Sequence, residues 1–81
     1  MTREEAAARL IAIMRDVFDE DDLQYDDSLT ADDVDGWDSL SHVRFLVAVE
    51  KEFSFRFTSG EIDGLKNIGE ALNIIVRRAS Q

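Results

Sequence analysis

No cysteine occurs in the 81-residue chain, which excludes a disulfide framework, a thiolate metal site and a thiol nucleophile. Proline is absent too, and there are only four glycines, so helix ends must be read from capping residues. Basic residues are scarce: nine Lys and Arg stand against 18 Asp and Glu, a formal charge of -9. That balance repels phosphate backbones and anionic lipid surfaces and sets aside nucleic-acid and membrane partners. No run approaches the roughly 20 apolar residues of a membrane span, and the opening Met-Thr-Arg-Glu-Glu-Ala is charged, without the apolar core of a signal peptide. The expectation is a soluble, cytoplasmic, monomeric protein.

A chain of this length forms one domain, residues 1–81, and hides only about 60 to 65% of the surface its unfolded form exposes. Its apolar fraction of 44% is ordinary for a folded protein, so stability must come from packing alone. The acids are unevenly spread, since 11 of the 18 fall between Asp16 and Asp38, where no Lys or Arg occurs. Such a cluster fits a basic partner and fits equally a solvated loop that keeps a small domain soluble.

The pattern along the chain is helical. Thr2 followed by Glu5 has the form of a capping box, and Leu10, Met14, Val17 and Phe18 recur on one face with Ile11 and Ile13 beside them. A first helix is expected from about Arg3 to Phe18. From Asp19 to Trp37 isolated apolar residues, Leu23, Tyr25, Leu29, Val34 and Trp37, stand among acids, which predicts a long functional loop tacked onto the helices. Asp38 is a good N-cap for a second helix from Ser39 to about Phe53. Within it Phe45, Leu46, Val49 and Phe53 have the spacing of a core face, while Leu40, Val43 and Val47 form a second stripe turned away from the first.

Phe53, Phe55 and Phe57 alternate with polar residues, but one strand would have no partner, and an extended connection carrying aromatic side chains to the core is the better reading. Thr58 with Glu61 caps a short third helix through Ile62 and Leu65. Asn67 with Glu70 caps a fourth helix bearing Ile68, Leu72, Ile75 and Val76, with Arg77 and Arg78 at the end where cations suit the helix dipole. The fold expected is all-α: a four-helix bundle of three longer helices and one short third helix, with a long loop between the first two.

The most informative stretch is Asp35-Gly36-Trp37-Asp38-Ser39-Leu40, where the loop turns into the second helix. Here the chain resembles the acyl carrier protein family, marked by Asp-Ser-Leu at the start of helix two with a Gly two residues before the Asp. The resemblance extends to Asp27-Ser28-Leu29, to Glu50-Lys51-Glu52-Phe53 and to Asn67-Ile68-Gly69-Glu70-Ala71-Leu72. It implies that a phosphopantetheinyl transferase joins the Ser39 hydroxyl to 4'-phosphopantetheine from coenzyme A. The arm would then hold an acyl or aminoacyl group as a thioester, loaded by a ligase or transferase and passed to downstream enzymes. Asp38, besides capping the helix, would help place the transferase's magnesium; the chain itself needs no resident metal. A phosphate at a helix start is favoured by the unpaired N–H groups and the dipole, by about 0.3 to 1 kcal/mol when exposed.

The second stripe has two readings: it packs against the loop or helix three, or it forms the face that partner enzymes grip. On the latter reading Leu40, Val43, Arg44 and Val47, with Ile62 of the third helix, recognise partners. Members that serve fatty-acid synthesis are usually acidic after the serine, whereas this chain has Ser41, His42 and Arg44. That departure favours a specialised lipid or secondary-metabolite pathway, or an aminoacyl carrier.

Three other readings compete. Ser39 and His42, three apart on one helix face, suggest a hydrolase, but the G-x-S-x-G elbow is missing and a short helical chain offers little from which to build an oxyanion hole. His42 is then a surface or partner-contacting residue. Gly64 falls at the sixth position of an EF-hand frame that ends on Glu70, but Ser59 occupies the first position, where Asp is needed, and Lys66 the eighth. Finally, an unmodified acidic interaction domain would share the same fold.

Overall fold

The computed structural model describes residues 2–79. Four α-helices follow one another, α1 (Arg3–Val17), α2 (Ser39–Phe53), α3 (Ser59–Asp63) and α4 (Ile68–Ala79), and no strand occurs among the described residues. The all-α expectation holds, with three long helices and a short third. Helix α1 packs against both α2 and α4. This two-sided contact sets its buried face, on which Ala6, Leu10, Ile11 and Met14 are buried while Ile13 and Val17 remain half-exposed. The expected stripe was therefore too narrow, and its centre lay too close to Val17. Helix α2 contributes Phe45, Leu46, Val49 and Phe53, as its spacing predicts, and α4 contributes Ile68, Ala71, Leu72 and Ile75, with Val76 at the margin.

Helix starts follow the capping residues. The Thr2 hydroxyl accepts from the Glu5 N–H at 3.1 Å, and the Asn67 side chain accepts from the Glu70 N–H at 2.9 Å. The Glu70 carboxylate accepts from the Lys66 N–H at 3.0 Å, one residue earlier than in a regular capping box. Helices α1 and α2 end on left-handed residues that are not glycine, Asp19 (φ 55°) and Ser54 (φ 57°). In both, the next N–H reaches back five residues, Glu20 to Arg15 O at 3.0 Å and Phe55 to Glu50 O at 3.2 Å. A left-handed L-residue costs about 1–2 kcal/mol, partly offset by the extra freedom a glycine gives the unfolded chain, about 0.4–1 kcal/mol. Ser54→Gly at this exposed position is therefore expected to raise the melting temperature by several degrees, since about 1 kcal/mol moves it by ~4–8 °C at this size; thermal denaturation followed by circular dichroism checks it.

The long acidic loop is more ordered than its sequence suggests. Its Leu29 and Asp27 carbonyls accept from the Ile68 and Gly69 N–H groups, both at 2.9 Å, so the loop satisfies donors at the start of α4 that would otherwise lack partners. A Cβ on Gly69 would lie 2.9 Å from Asp27 O, which explains the glycine there. Arg15 Nε donates to Leu23 O at 2.8 Å, and Arg3 pairs with Asp27 at 3.3 Å. The Tyr25 hydroxyl donates to the Asp27 carboxylate, and burial, followed by that bond, pushes its pKa upward. Within the loop Ala31–Asp33 form a 3-10 turn, in which Asp33 Oδ2 accepts from the Thr30 N–H at 3.0 Å and from the Thr30 hydroxyl at 3.2 Å.

Helix α3 stops at Asp63, short of the expected Leu65. Its box is complete: Thr58 Oγ1 accepts from the Glu61 N–H at 3.1 Å and Glu61 Oε1 from the Thr58 N–H at 2.9 Å. Glu61 does more than cap. It accepts from Arg78 at 2.9 Å and from Arg77 at 3.2 Å, so these arginines clip the end of α4 to α3 in addition to matching the helix dipole. The Thr58 N–H first, and then Arg78, hold the Glu61 carboxyl below its ordinary value of 4.5. Its stabilising contribution is thus full above that value and is lost as pH falls through the lower folded-state value. Glu61→Gln is expected to cost about 1 kcal/mol at neutral pH, hydrogen bonds to charged groups being worth ~1.5–3 before allowance for the exposure of Arg77. In urea titrations the gap from wild type should close as pH is lowered below 4.5.

These observations overturn the EF-hand frame. Its first five positions, Ser59–Asp63, are helical, and its last, Glu70, is bound to the backbone of its own helix start.

Candidate functional site

Ser39 is the first residue of α2 and is exposed. The chain reaches it through a tight approach, because a Cβ on Gly36 would lie 2.8 Å from Phe18 O. Only glycine lets the loop pass so close to the end of α1, and a side chain here would push the segment before Ser39 outward. Asp38 then caps α2, its Oδ1 accepting from the Ser41 N–H at 2.8 Å. That N–H first, and then the Ser41 hydroxyl, hold the Asp38 carboxyl below the usual range, so at neutral pH the serine stands next to a fixed negative charge.

Trp37 lies between the loop and the core. Its ring stacks on Phe18 at 4.7 Å and meets Phe45 at 5.5 Å, and its Nε1–H donates to His42 Nδ1 at 3.0 Å. His42 is accordingly half-buried and bound within the fold, an indole contact that the expectation of a surface or partner-contacting residue did not include. A sequence signal for this pair existed: Trp37 precedes the cap and His42 is the fourth helical residue, the two positions of a hydrophobic staple. The contact also answers the hydrolase reading. With Nδ1 accepting from a donor-only indole, the neutral ring carries its hydrogen on Nε2, and a protonated nitrogen cannot take a proton from Ser39.

Beside the serine opens a cleft of about 410 Å³ lined by Ala31, Trp37, Asp38, Ser39 and His42. Ala31, Trp37 and His42 also line a smaller pocket of about 100 Å³, walled further by Phe45, Leu65, Ile68 and Ala71. The Trp37–His42 pair therefore partitions the open cleft from the interior.

Next to this cleft runs the second stripe. Leu40, Val43 and Val47 are 69, 56 and 43% exposed, so neither the loop nor α3 buries them. Arg44 is exposed among them, while Ile62 of α3 is half-buried against the core and offers only part of its surface. A row of exposed apolar residues on one helix of a small domain is the kind of patch that marks a protein-binding face. Among the described residues no helix is long and apolar enough to cross a membrane, and no group of three or more acidic or histidine side chains is placed to hold a metal ion.

No protein-family model matches the chain. It is 36% identical over 77 residues to the acyl carrier protein of Acidothermus cellulolyticus, covering 93% of this chain and 89% of that protein. Its fold matches the solution NMR structure of the holo acyl carrier protein from Geobacter metallireducens with a TM-score of 0.87, at 33% identity, over 93% of this chain and 86% of the other. Identity at that level across nearly the whole length of both chains, on a superimposable four-helix fold, shows that the chain belongs to the acyl carrier protein family.

Proposed function

We propose that Ser39 carries 4'-phosphopantetheine and that the chain presents an acyl or aminoacyl group, held as a thioester on the arm, to the enzymes of a specialised pathway. The observation that carries this reading is the exposed Ser39 hydroxyl at the first residue of α2, directly after a capping Asp38 and beside an open cleft. The residues present suit the group. The cleft has room for a chain leaving the serine, and Gly36 brings the preceding loop in tightly, leaving the hydroxyl clear for a transferase. In the attachment, the serine hydroxyl gives up its proton to a base of the transferase or to water as its oxygen bonds to the phosphorus of coenzyme A's pantetheine phosphate; the bond from that phosphorus to the adenosine bisphosphate breaks, the bisphosphate leaves, and a phosphodiester results. Asp38 contributes the charge that would help place the transferase's magnesium, and the exposed Leu40, Val43 and Val47 supply the apolar contact for partners. Arg44, and the remaining exposed part of Ile62, would adjust partner choice.

The specialised pathway is inferred from Ser41, His42 and Arg44 standing where fatty-acid carriers are usually acidic. An unmodified acidic interaction domain is the alternative, and one experiment separates the two. Incubation with coenzyme A and a broad-specificity phosphopantetheinyl transferase is expected to add one arm to the wild-type chain and none to Ser39→Ala, as read by intact mass. An arm on the alanine variant would show that the site is elsewhere; no arm on either would leave the interaction domain.

A further inference from the structure

The arm's phosphodiester places a negative charge on Ser39, and its surroundings offer it little obvious support. Asp38 is an anion already seated on the Ser41 N–H at the helix start, so a second anion drawn to the same donors meets a like charge. The favourable helix-start field expected from the sequence is therefore partly cancelled by the cap itself. The other residues lining the cleft are Ala31, Trp37 and His42. Ala31 has no polar side-chain atom, and the single donor of Trp37 is spent on His42 Nδ1 at 3.0 Å. By elimination, the one uncommitted side-chain donor of the cleft is His42 Nε2–H, one helical turn after Ser39 and on the same face.

Resting on the assignment of the arm to Ser39, we propose that His42 is a positioning residue for that arm: its Nε2–H binds the phosphodiester, and the Trp37–His42 surface seats the first part of the pantetheine chain. Trp37 orients the imidazole in two ways. Its Nε1–H fixes which nitrogen bears the hydrogen, and its ring, stacked on Phe18 at 4.7 Å and lying 5.9 Å from the imidazole at an interplanar angle of 25°, ties that orientation to the core. A phosphate bound to an imidazole held this way leaves the serine in one preferred direction, over the cleft. The rest of the arm, beyond the pair, remains free to reach partner enzymes.

The test uses the full isotope-labelled chain after treatment with coenzyme A and transferase, with intact mass recorded first. An unchanged mass removes the arm from Ser39 and this inference with it. On the modified chain, cross-peaks are expected between the pantoyl methyl protons and the ring protons of His42 and Trp37, together with a single phosphorus resonance sensitive to residue 42. His42→Ala is expected to abolish the cross-peaks and shift the phosphorus resonance. His42→Gln, which can both accept from the Trp37 indole and donate to the phosphate, should retain them. A singly modified wild-type chain lacking those cross-peaks, or a phosphorus resonance identical in wild type and His42→Ala, would overturn the proposal while leaving the attachment intact. The cross-peaks in wild type decide the matter even if the alanine variant does not fold.

Discussion

Phe45→Ala is expected to remove about 3–5 kcal/mol of stability, the range for truncating a buried phenylalanine. Domains carry roughly 0.05–0.15 kcal/mol per residue, so a chain of 81 residues has about 4–12 in total, and the variant stands near the folding threshold. Phe45 is 1% exposed and lies under the site. Its ring meets Trp37 at 5.5 Å and Phe18 at 5.7 Å, and it also walls the small inner pocket. Removing it enlarges that pocket beneath the Trp37–His42 pair, which has no second aromatic support on the α2 side. The melting temperature should fall by about 15 °C or more, at ~4–8 °C per kcal/mol for a domain of this size, and Trp37 fluorescence should become that of a solvated indole. Phe45→Leu, which refills most of the volume, should cost far less. An alanine variant within 1 kcal/mol of wild type in urea titration, with Trp37 emission unchanged, would show that the aromatic cluster does not support the site.

Much of this architecture is written locally, and those parts were legible. Thr2, Asp38, Thr58 and Asn67 each cap within three residues of themselves, so sequence spacing alone locates four helix starts. The two stripes of α2 separate because a 3.6-residue period puts Phe45, Leu46, Val49 and Phe53 on one face and Leu40, Val43 and Val47 on another, and burial divides them the same way. What escaped depends on contacts across distance. The Glu61 pairing with Arg77 and Arg78 joins residues 16 and 17 apart in the chain, and no period encodes it. The loop carbonyls of Asp27 and Leu29 find donors in α4 only once the chain has folded back. Gly69 stood out only as part of a family motif, because the reason for it, a backbone carbonyl 2.9 Å from where a Cβ would be, lies on another segment. The Thr30–Asp33 turn and the Trp37–His42 staple form an intermediate class. Both fit known local patterns, but one lacks the apolar run that normally follows a capping box, and the other places a histidine where an aliphatic residue is usual.

Arg44→Glu is expected to improve malonyl loading of the arm-bearing chain by a housekeeping fatty-acid acyltransferase by about tenfold, equivalent to 1.4 kcal/mol. Leu40, Val43 and Val47 give apolar contact that many partners could use, so discrimination among partners falls to the charges interleaved with them. Enzymes that grip acidic carriers present basic residues, and Arg44, exposed between Val43 and Val47, meets such a surface with like charge. Reversal to Glu removes the repulsion and adds an attraction. A rim charge acts mainly through the association rate, so the gain should appear in kcat/KM and shrink at high ionic strength, where the Debye length falls from ~8 Å at physiological salt to ~3 Å at 1 M. The acidic stretch from Asp16 to Asp38 does not compensate, because it is the same in both proteins and cancels in the comparison. The native partner should respond in the opposite sense if it places an acidic group against Arg44. Efficient loading of the wild-type chain, with no improvement in the Glu variant at low salt, would mean that Arg44 lies outside the contact and would return this carrier to ordinary fatty-acid synthesis.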